Sequence, residues 1–236
     1  MPGLGRRSAG HAVSITAIAA CALSGTAWAQ PRTPEAQPPA QQTPPQPTLA
    51  ADLQGDVKRG KDLSYTCLGC HGIEGYKNAY PMYSVPKLEG QTPQYLAAAL
   101  HGYRGGDRAH LTMHDQASTL SDQDIADIAA YFAGKPLKPS GKAPGSVPQA
   151  AQLCTSCHGQ DGVAIVPIYP SLAGQHEDYL ERAIEEYRKG GRKNPIMKGF
   201  ATSLKDQDIS VIARYFSSLT PSLGTESRPY TRFTAE

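Results

Sequence analysis

The sequence is short of several things, and each shortage excludes a class of function. Its main apolar stretch, Ala12 to Ala22, falls below the roughly 20 residues that a membrane-spanning helix needs. Lys and Arg outnumber Asp and Glu by only two, and that excess belongs to Arg6 and Arg7. Without the first 29 residues, the 23 basic residues become 21, against 21 acidic ones. A chain with no basic excess and no Lys/Arg run is a poor fit to nucleic acid, whose binding depends on neutralising phosphates. No stretch alternates apolar and polar residues with period two, so half-buried strands are not expected. Methionine is scarce too, with four in all, one of them the initiator.

What is present begins with an export signal. Arg6 and Arg7 form a positive start, Ala12 to Ala22 an apolar middle, and Ala27-Trp28-Ala29 a small-residue cleavage site, so the signal is expected over 1–29. An alternative stays open, because Ile18-Ala19-Ala20-Cys21 has the pattern of a lipidation site at Cys21. Residues 30–50 are dominated by Pro and Gln and read as a disordered spacer that buries no core. A second Pro- and Gly-rich break, 136–148, separates 51–135 from 149–220, and 221–236 forms a tail.

The two separated stretches repeat each other. Pro86-Lys-Leu-Glu-Gly-Gln91 recurs as Pro170-Ser-Leu-Ala-Gly-Gln175, and Asp122-Gln-Asp-Ile125 as Asp206-Gln-Asp-Ile209, each 84 residues on. Tyr131-Phe132 likewise recurs as Tyr215-Phe216. The signals inside each repeat are helical: Thr92 before Pro93, Gly105-Gly106 as a stop, and Ser121 three residues before Asp124 as a capping box. Ile125, Ile128, Ala129 and Phe132 then follow at helical spacing. Both repeats are therefore expected to be all-α domains.

Five cysteines in an exported chain suggest disulfides, yet their spacing argues otherwise. Four of them form Cys67/Cys70 and Cys154/Cys157, each pair followed at once by a histidine, His71 and His158. That is the attachment pattern of c-type haem: two thiols one helical turn apart bond one porphyrin, and the adjoining imidazole is the proximal ligand. A four-thiolate zinc site is the competing use of two such pairs. The histidines, the placement in separate repeats and the export signal all argue against zinc. A sixth ligand should come from later in each repeat. Met113 and Met197 are separated by the repeat spacing of 84, whereas Met82 has no counterpart. Met113 and Met197 are therefore the expected distal ligands, ahead of His110 and His114, which the second repeat replaces with Asn194 and Lys198. Pro86 and Pro170 are candidate backbone acceptors for the proximal imidazoles, with loop stops before Leu88 and Leu172 as the open alternative. Arg104, Arg108, Arg188 and Arg192 are candidates for meeting haem propionates, with solvated helix ends as their ordinary fate.

From about Gly55 to Leu219 the chain resembles the tandem dihaem class I cytochromes c of the c4 type. The likeness rests on the two Cys-x-x-Cys-His motifs, the Pro-x-Leu-x-Gly-Gln segments, the paired methionines and the Asp-Gln-Asp-Ile helices. It implies two all-α domains facing each other, each wrapping one covalently bound haem. The chain departs from the pattern twice. Gly60 lies seven residues before Cys67, where the second repeat has Val147-Pro148, so a shorter first helix is expected there. Lys205 replaces Ser121 at the helix cap.

Iron held by a His and a Met has no open position for substrate, so the expected product is an electron carrier and not an enzyme. Its expected location is the periplasm, with loose membrane association a possibility left open. It would act between a quinol-oxidising complex or other donor and a terminal oxidase or similar acceptor. The expected partners are redox proteins, with a membrane respiratory complex foremost and no small-molecule substrate. The alternative is the electron-accepting cytochrome subunit of a sulfide- or alcohol-oxidising dehydrogenase. A dihaem enzyme is the third reading and leans on the histidines around Met113.

Overall fold

Nine α-helices and one 3-10 turn make up the described part of the chain, and they come in two matching series. The computed structural model describes residues 54–79 and 81–226, which belong to one compact unit, 45–236. The expected export signal, the Pro/Gln-rich spacer and residues 227–236 of the tail lie outside the described residues. The first series is α1 (Val57–Leu63), α2 (Leu68–His71), α3 (Pro93–Arg104), α4 (Leu111–Ser118) and α5 (Asp122–Ala133). The second is the 3-10 turn Gln149–Ala151, then α6 (Thr155–His158), α7 (Glu177–Lys189), α8 (Pro195–Ser203) and α9 (Asp206–Ser217). Among the described residues, extended pairing is limited to isolated bridges, so the all-α expectation holds.

The helix boundaries follow local chemistry. Thr92 Oγ1 accepts the Tyr95 N–H at the start of α3, and Pro93 needs no partner there because it has no N–H. Ser121 and Asp124 cap α5 reciprocally. In α9 only half of that box survives: Asp208 accepts the Lys205 N–H at 3.2 Å, while an ammonium has no lone pair to return. Gly190, with φ 83°, ends α7 in the left-handed region that a side chain would resist.

Each half has its own apolar cluster. Leu68, Leu96, Ile128 and Phe132 are buried between α2, α3 and α5; Leu180, Ile212 and Phe216 are buried between α7 and α9. Burying each such side chain contributes about 1.5–3 kcal/mol. In the first half α1 crosses α5 at Gly60, where a Cβ would sit 2.0 Å from the Asp127 carbonyl oxygen. Only glycine permits that approach. The second half has no such helix. The 3-10 turn takes its place, packing the fully buried Ala151 on α9. The second cluster also takes in Tyr83 from the first half.

The halves pair reciprocally. Gln91 Nε2 donates to the Ser171 carbonyl at 2.6 Å and its Oε1 accepts the Ser171 N–H at 3.0 Å. Gln175 does the same with Lys87, at 2.9 and 3.0 Å. Since 87 and 171 are repeat-equivalent, as are 91 and 175, one contact is written twice, as in a two-fold interface. The Ala109 N–H donates to the Gly191 carbonyl and the Lys193 N–H to the Asp107 carbonyl, both at 2.7 Å, on either side of Arg108 and Arg192. Residues 221–226 then run back over both halves. Leu223 is buried and its N–H meets the Ala173 carbonyl, while Gly224 exchanges both backbone hydrogen bonds with Glu89, the repeat equivalent of Ala173.

Candidate functional site

The second half brings its four expected residues to one place. Cys154, Cys157, His158 and Met197 all line a cavity of about 610 Å³, walled by apolar side chains that include Leu172, Leu180, Ile184 and Phe216. Cys154 ends the turn before α6, and Cys157 and His158 sit on α6; the His158 N–H bonds back to the Cys154 carbonyl at 3.0 Å. This single turn holds both sulfurs and the imidazole on one short rigid element. Met197 arrives on α8, whose first turn is fixed by Asn194 Oδ1 accepting the Met197 N–H at 3.0 Å.

The first half repeats these local arrangements. The His71 N–H bonds the Cys67 carbonyl at 2.8 Å, and Cys70 lies on the same turn of α2. Met113 sits on α4, capped by His110 Nδ1, which accepts its N–H at 3.3 Å. His71 meets the edge of Phe132 at 6.4 Å between centroids, and His158 meets the equivalent Phe216 at 6.4 Å. The first half's four residues are not among those lining the 610 Å³ cavity, although Pro86, Leu88, Tyr95 and His101 of that half are. Met82, without a counterpart, is an exposed surface residue.

The two histidines are set in one defined protonation state. His71 Nδ1 lies 3.0 Å from the Pro86 carbonyl and His158 Nδ1 lies 2.8 Å from the Pro170 carbonyl. A carbonyl only accepts, so each Nδ1 carries the proton. Burial pushes both pKa values down, against the pull of the carbonyls. Each ring is thus neutral, with a lone pair on Nε2, the form a metal ion binds. The prolines were candidates for this role, and they fill it.

Among the described residues the four cysteines, Cys67, Cys70, Cys154 and Cys157, form no disulfide. Burial raises the pKa of Cys67 and Cys154, which keeps both protonated in the absence of a partner. Among the described residues no three His, Cys, Asp or Glu side chains converge on a common point. The two cysteine pairs therefore do not build the four-thiolate geometry that zinc takes.

The cavity wall also holds two donors with nothing to donate to. Arg104 Nη2 lies 3.0 Å from His101 Nδ1, and guanidinium only donates, so His101 carries its proton on Nε2. That Nε2 is buried and unpartnered, as is Nε of Arg108, and both residues line the cavity. Buried donors left unpaired cost about 1–3 kcal/mol each. An apolar chamber with two orphan donors, paired thiols, a neutral imidazole and a thioether fits a flat apolar macrocycle bearing carboxylates. Haem is such a group, and the residues present match it.

Sequence reasoning missed the company that Arg108 and Arg192 keep. Arg192 is buried, with Nε 2.6 Å from Glu186 Oε2, and both guanidiniums reach Tyr179 Oη, at 3.3 and 3.5 Å. Their recurrence 84 residues apart was the available signal. Arg104 and Arg188 instead hold the starts of α5 and α9, through Leu120 O and Asp122 in one half and Leu204 O and Asp206 in the other. His110 and His114 have structural engagements as well. The first is the helix cap that Asn194 is in the second half, and Nδ1 of the second lies 2.8 Å from the Tyr103 carbonyl.

Known proteins resemble this chain in sequence and fold. The cytochrome c family model matches residues 57–134 and again 147–220. A cytochrome c4 from Pseudomonas aeruginosa is 35% identical over 189 residues, covering 73% of this chain and 92% of that protein. The crystal structure of reduced recombinant cytochrome c4 from Pseudomonas stutzeri superimposes with a TM-score of 0.56 at 31% identity, over 70% of this chain and 99% of that one. A protein named thiosulfate dehydrogenase electron acceptor, from Thiomonas intermedia, is 29% identical over 174 residues, or 65% of this chain and 78% of that protein.

Proposed function

From the premise that the chain belongs to the cytochrome c family, as a tandem dihaem class I member with two c-type haems, we propose that it is a periplasmic electron carrier without a catalytic site. The haem-bearing domains are 51–135 and 149–220. Cys67 and Cys70 hold one haem covalently and Cys154 and Cys157 the other. His71 with Met113, and His158 with Met197, would hold the two irons. The carrying observation is that each half fixes a neutral histidine, half-buried in the first and buried in the second, on a proline carbonyl and brings up a methionine from a helix capped at the same position.

The bound haems supply the one-electron chemistry. The protein's own residues do the rest. The Pro86 and Pro170 carbonyls orient the imidazoles and strengthen them as donors. Met113 and Met197 would supply the second ligand to each iron, which would leave no open position for a substrate. The apolar walls keep water out, and the orphan donors of His101 and Arg108 receive the carboxylates. The partners are redox proteins. The donor is a quinol-oxidising membrane complex and the acceptor a terminal oxidase or similar centre, reached after export by the segment 1–29.

A second reading is favoured by the likeness to the Thiomonas electron acceptor: the chain as the electron-accepting partner of a sulfur-compound dehydrogenase. The two readings divide on purification. A lone soluble cytochrome reduced by quinol-oxidising membranes is the carrier, whereas stable co-purification with a dehydrogenase chain supports the acceptor subunit. The test of the shared claim is a pyridine haemochrome assay on mature protein from a host competent in cytochrome maturation. Two haems per chain are expected; a colourless or zinc-containing product contradicts it.

A further inference from the structure

The segments that leave the last helix of each half begin on equivalent ground. Leu137, after α5, gives its N–H to the Gly90 carbonyl at 2.9 Å. Ser222, after α9, lies across Gly174, the repeat equivalent of Gly90, so closely that a Cβ on Gly174 would stand 2.0 Å from the Ser222 Cβ. Each segment then crosses to the other half and reaches the loop just beyond its Cys-x-x-Cys-His motif. The first meets Asp161, three residues past His158, whose carboxylate accepts the Ser140 hydroxyl at 2.7 Å and the Gly141 N–H at 3.2 Å. The second meets Gly72, the residue after His71, where a Cβ would be 3.1 Å from the Glu226 carbonyl oxygen. The Glu226 carboxylate also accepts from Tyr131 Oη at 3.5 Å.

The first crossing is obligatory, because residues 136–148 join the halves. The second is not, and ordering a segment costs conformational entropy for every residue fixed. What holds 221–226 down is specific. Leu223 is 1% exposed, and its N–H meets the Ala173 carbonyl of the second half at 2.8 Å. The next residue, Gly224, donates its N–H to the Glu89 carbonyl of the first half at 2.9 Å and accepts the Glu89 N–H at 3.1 Å. Positions 89 and 173 are repeat equivalents, so two adjacent residues grip the same place on both halves. Gly224 is also pressed against the Glu89 side chain, whose Oε2 lies 2.8 Å from where a Cβ would be. The cytochrome c match ends at residue 220, directly before this segment.

We propose that residues 221–226 are a clasp that locks the two halves together and holds down their opening from one another. The inference goes beyond the carrier reading and rests on it in one consequence only: with a haem bonded to each half, the clasp also fixes one haem relative to the other. Without the clasp the halves are held by the linker, by the paired contacts of Gln91 and Gln175, and by the backbone bonds of Ala109 and Lys193. Contacts of that kind open by local, partial unfolding, and the clasp raises the free energy of that opening.

The test is amide hydrogen exchange, followed by NMR in the reduced mature protein, with and without residues 221–236. Four amides bond across the halves and touch no part of the clasp: Lys87 to Gln175, Ser171 to Gln91, Ala109 to Gly191 and Lys193 to Asp107. All four should exchange about tenfold faster after the deletion, while the core amides of α5 and α9 keep the parent's rates. Should the shortened chain fail to mature, Gly224→Pro, which removes the N–H and collides with Glu89, should give the same pattern at roughly threefold. Parent rates at the four amides, with Glu89 alone exchanging faster, would reduce the segment to a local cover and overturn the inference. A uniform acceleration that includes α5 and α9 overturns it too. Haem content of the same samples is a separate reading: fewer than two haems in the parent contradicts the carrier, and the exchange pattern still decides the clasp.

Discussion

Asp127 and Val211 occupy the same position of the last helix in the two halves, and their fates differ completely. Asp127 is fully buried beneath α1, taking the Asp56 N–H at 2.7 Å, Gln123 Nε2 at 2.8 Å and the Arg59 guanidinium. Val211 is 41% exposed, because no helix crosses α9 there. The first half closes itself with a helix crossing stitched by a paired carboxylate. The second closes with one 3-10 turn and with help from Tyr83 of its neighbour. One repeat can therefore keep its haem-site geometry while its scaffold is thinned, provided the other half supplies the missing contacts.

The largest expected effect is on haem content. Cys154→Ala with Cys157→Ala should leave one haem per chain, as should Cys67→Ala with Cys70→Ala, measured by pyridine haemochrome. The comparison sharpens in the denaturant profiles of these variants. Loss of the first haem should destabilise both halves, since the second half's cluster includes Tyr83, whereas loss of the second should leave the self-closed first half folded.

Next in size is the crossing itself. Asp127→Ala removes one partner of a buried charged network and should cost about 2–4 kcal/mol, measured by denaturant unfolding. Val211→Ala at the equivalent place should stay within about 0.5 kcal/mol. Equal effects would break the contrast between the halves. The same carboxylate carries a pH signature. Burial alone would raise the pKa of Asp127, but its hydrogen bonds outweigh that and hold it below the usual value. A carboxyl depressed on folding contributes stability that is complete above the unfolded pKa, about 3.9, and lost as pH falls through the lower folded value. Acid titration below about pH 4 should therefore cost the parent more than Asp127→Asn.

The smallest effect concerns the helix starts. Ser121→Ala should cost about 1 kcal/mol, and Lys205→Ser, which restores the missing acceptor to α9, should gain a comparable amount. Thermal unfolding followed by circular dichroism measures both.

Much of this was legible beforehand because it is local or repeated. The Cys-x-x-Cys-His turns, the caps at Thr92 and Ser121, and the shortened start of the second half all follow from residues close together in sequence. The proline carbonyls under His71 and His158 could be named because each proline stands just downstream of its motif. The interface was not legible in this way. Gln91 finds Ser171 and Gln175 finds Lys87 only once the repeats are set face to face, 80 and 88 residues apart. Arg108 and Arg192 carry the signature of solvated helix ends, yet Glu186 and Tyr179 receive them in the interior. The stretch 221–226 has no helical period and no motif, and its role lies in backbone pairing with Glu89, which side-chain identity does not encode.

The central claim is that both irons are coordinatively full, each held by a histidine and a methionine. Its most direct test is the far-red absorption band of ferric methionine-ligated haem, quantified per haem in the parent, in Met113→Ala and in Met197→Ala. The account predicts two equivalents of the band in the parent and one in each variant, with carbon monoxide binding appearing only at the altered haem after reduction. A band undiminished in either variant, or a parent that binds carbon monoxide rapidly at one haem, would contradict it.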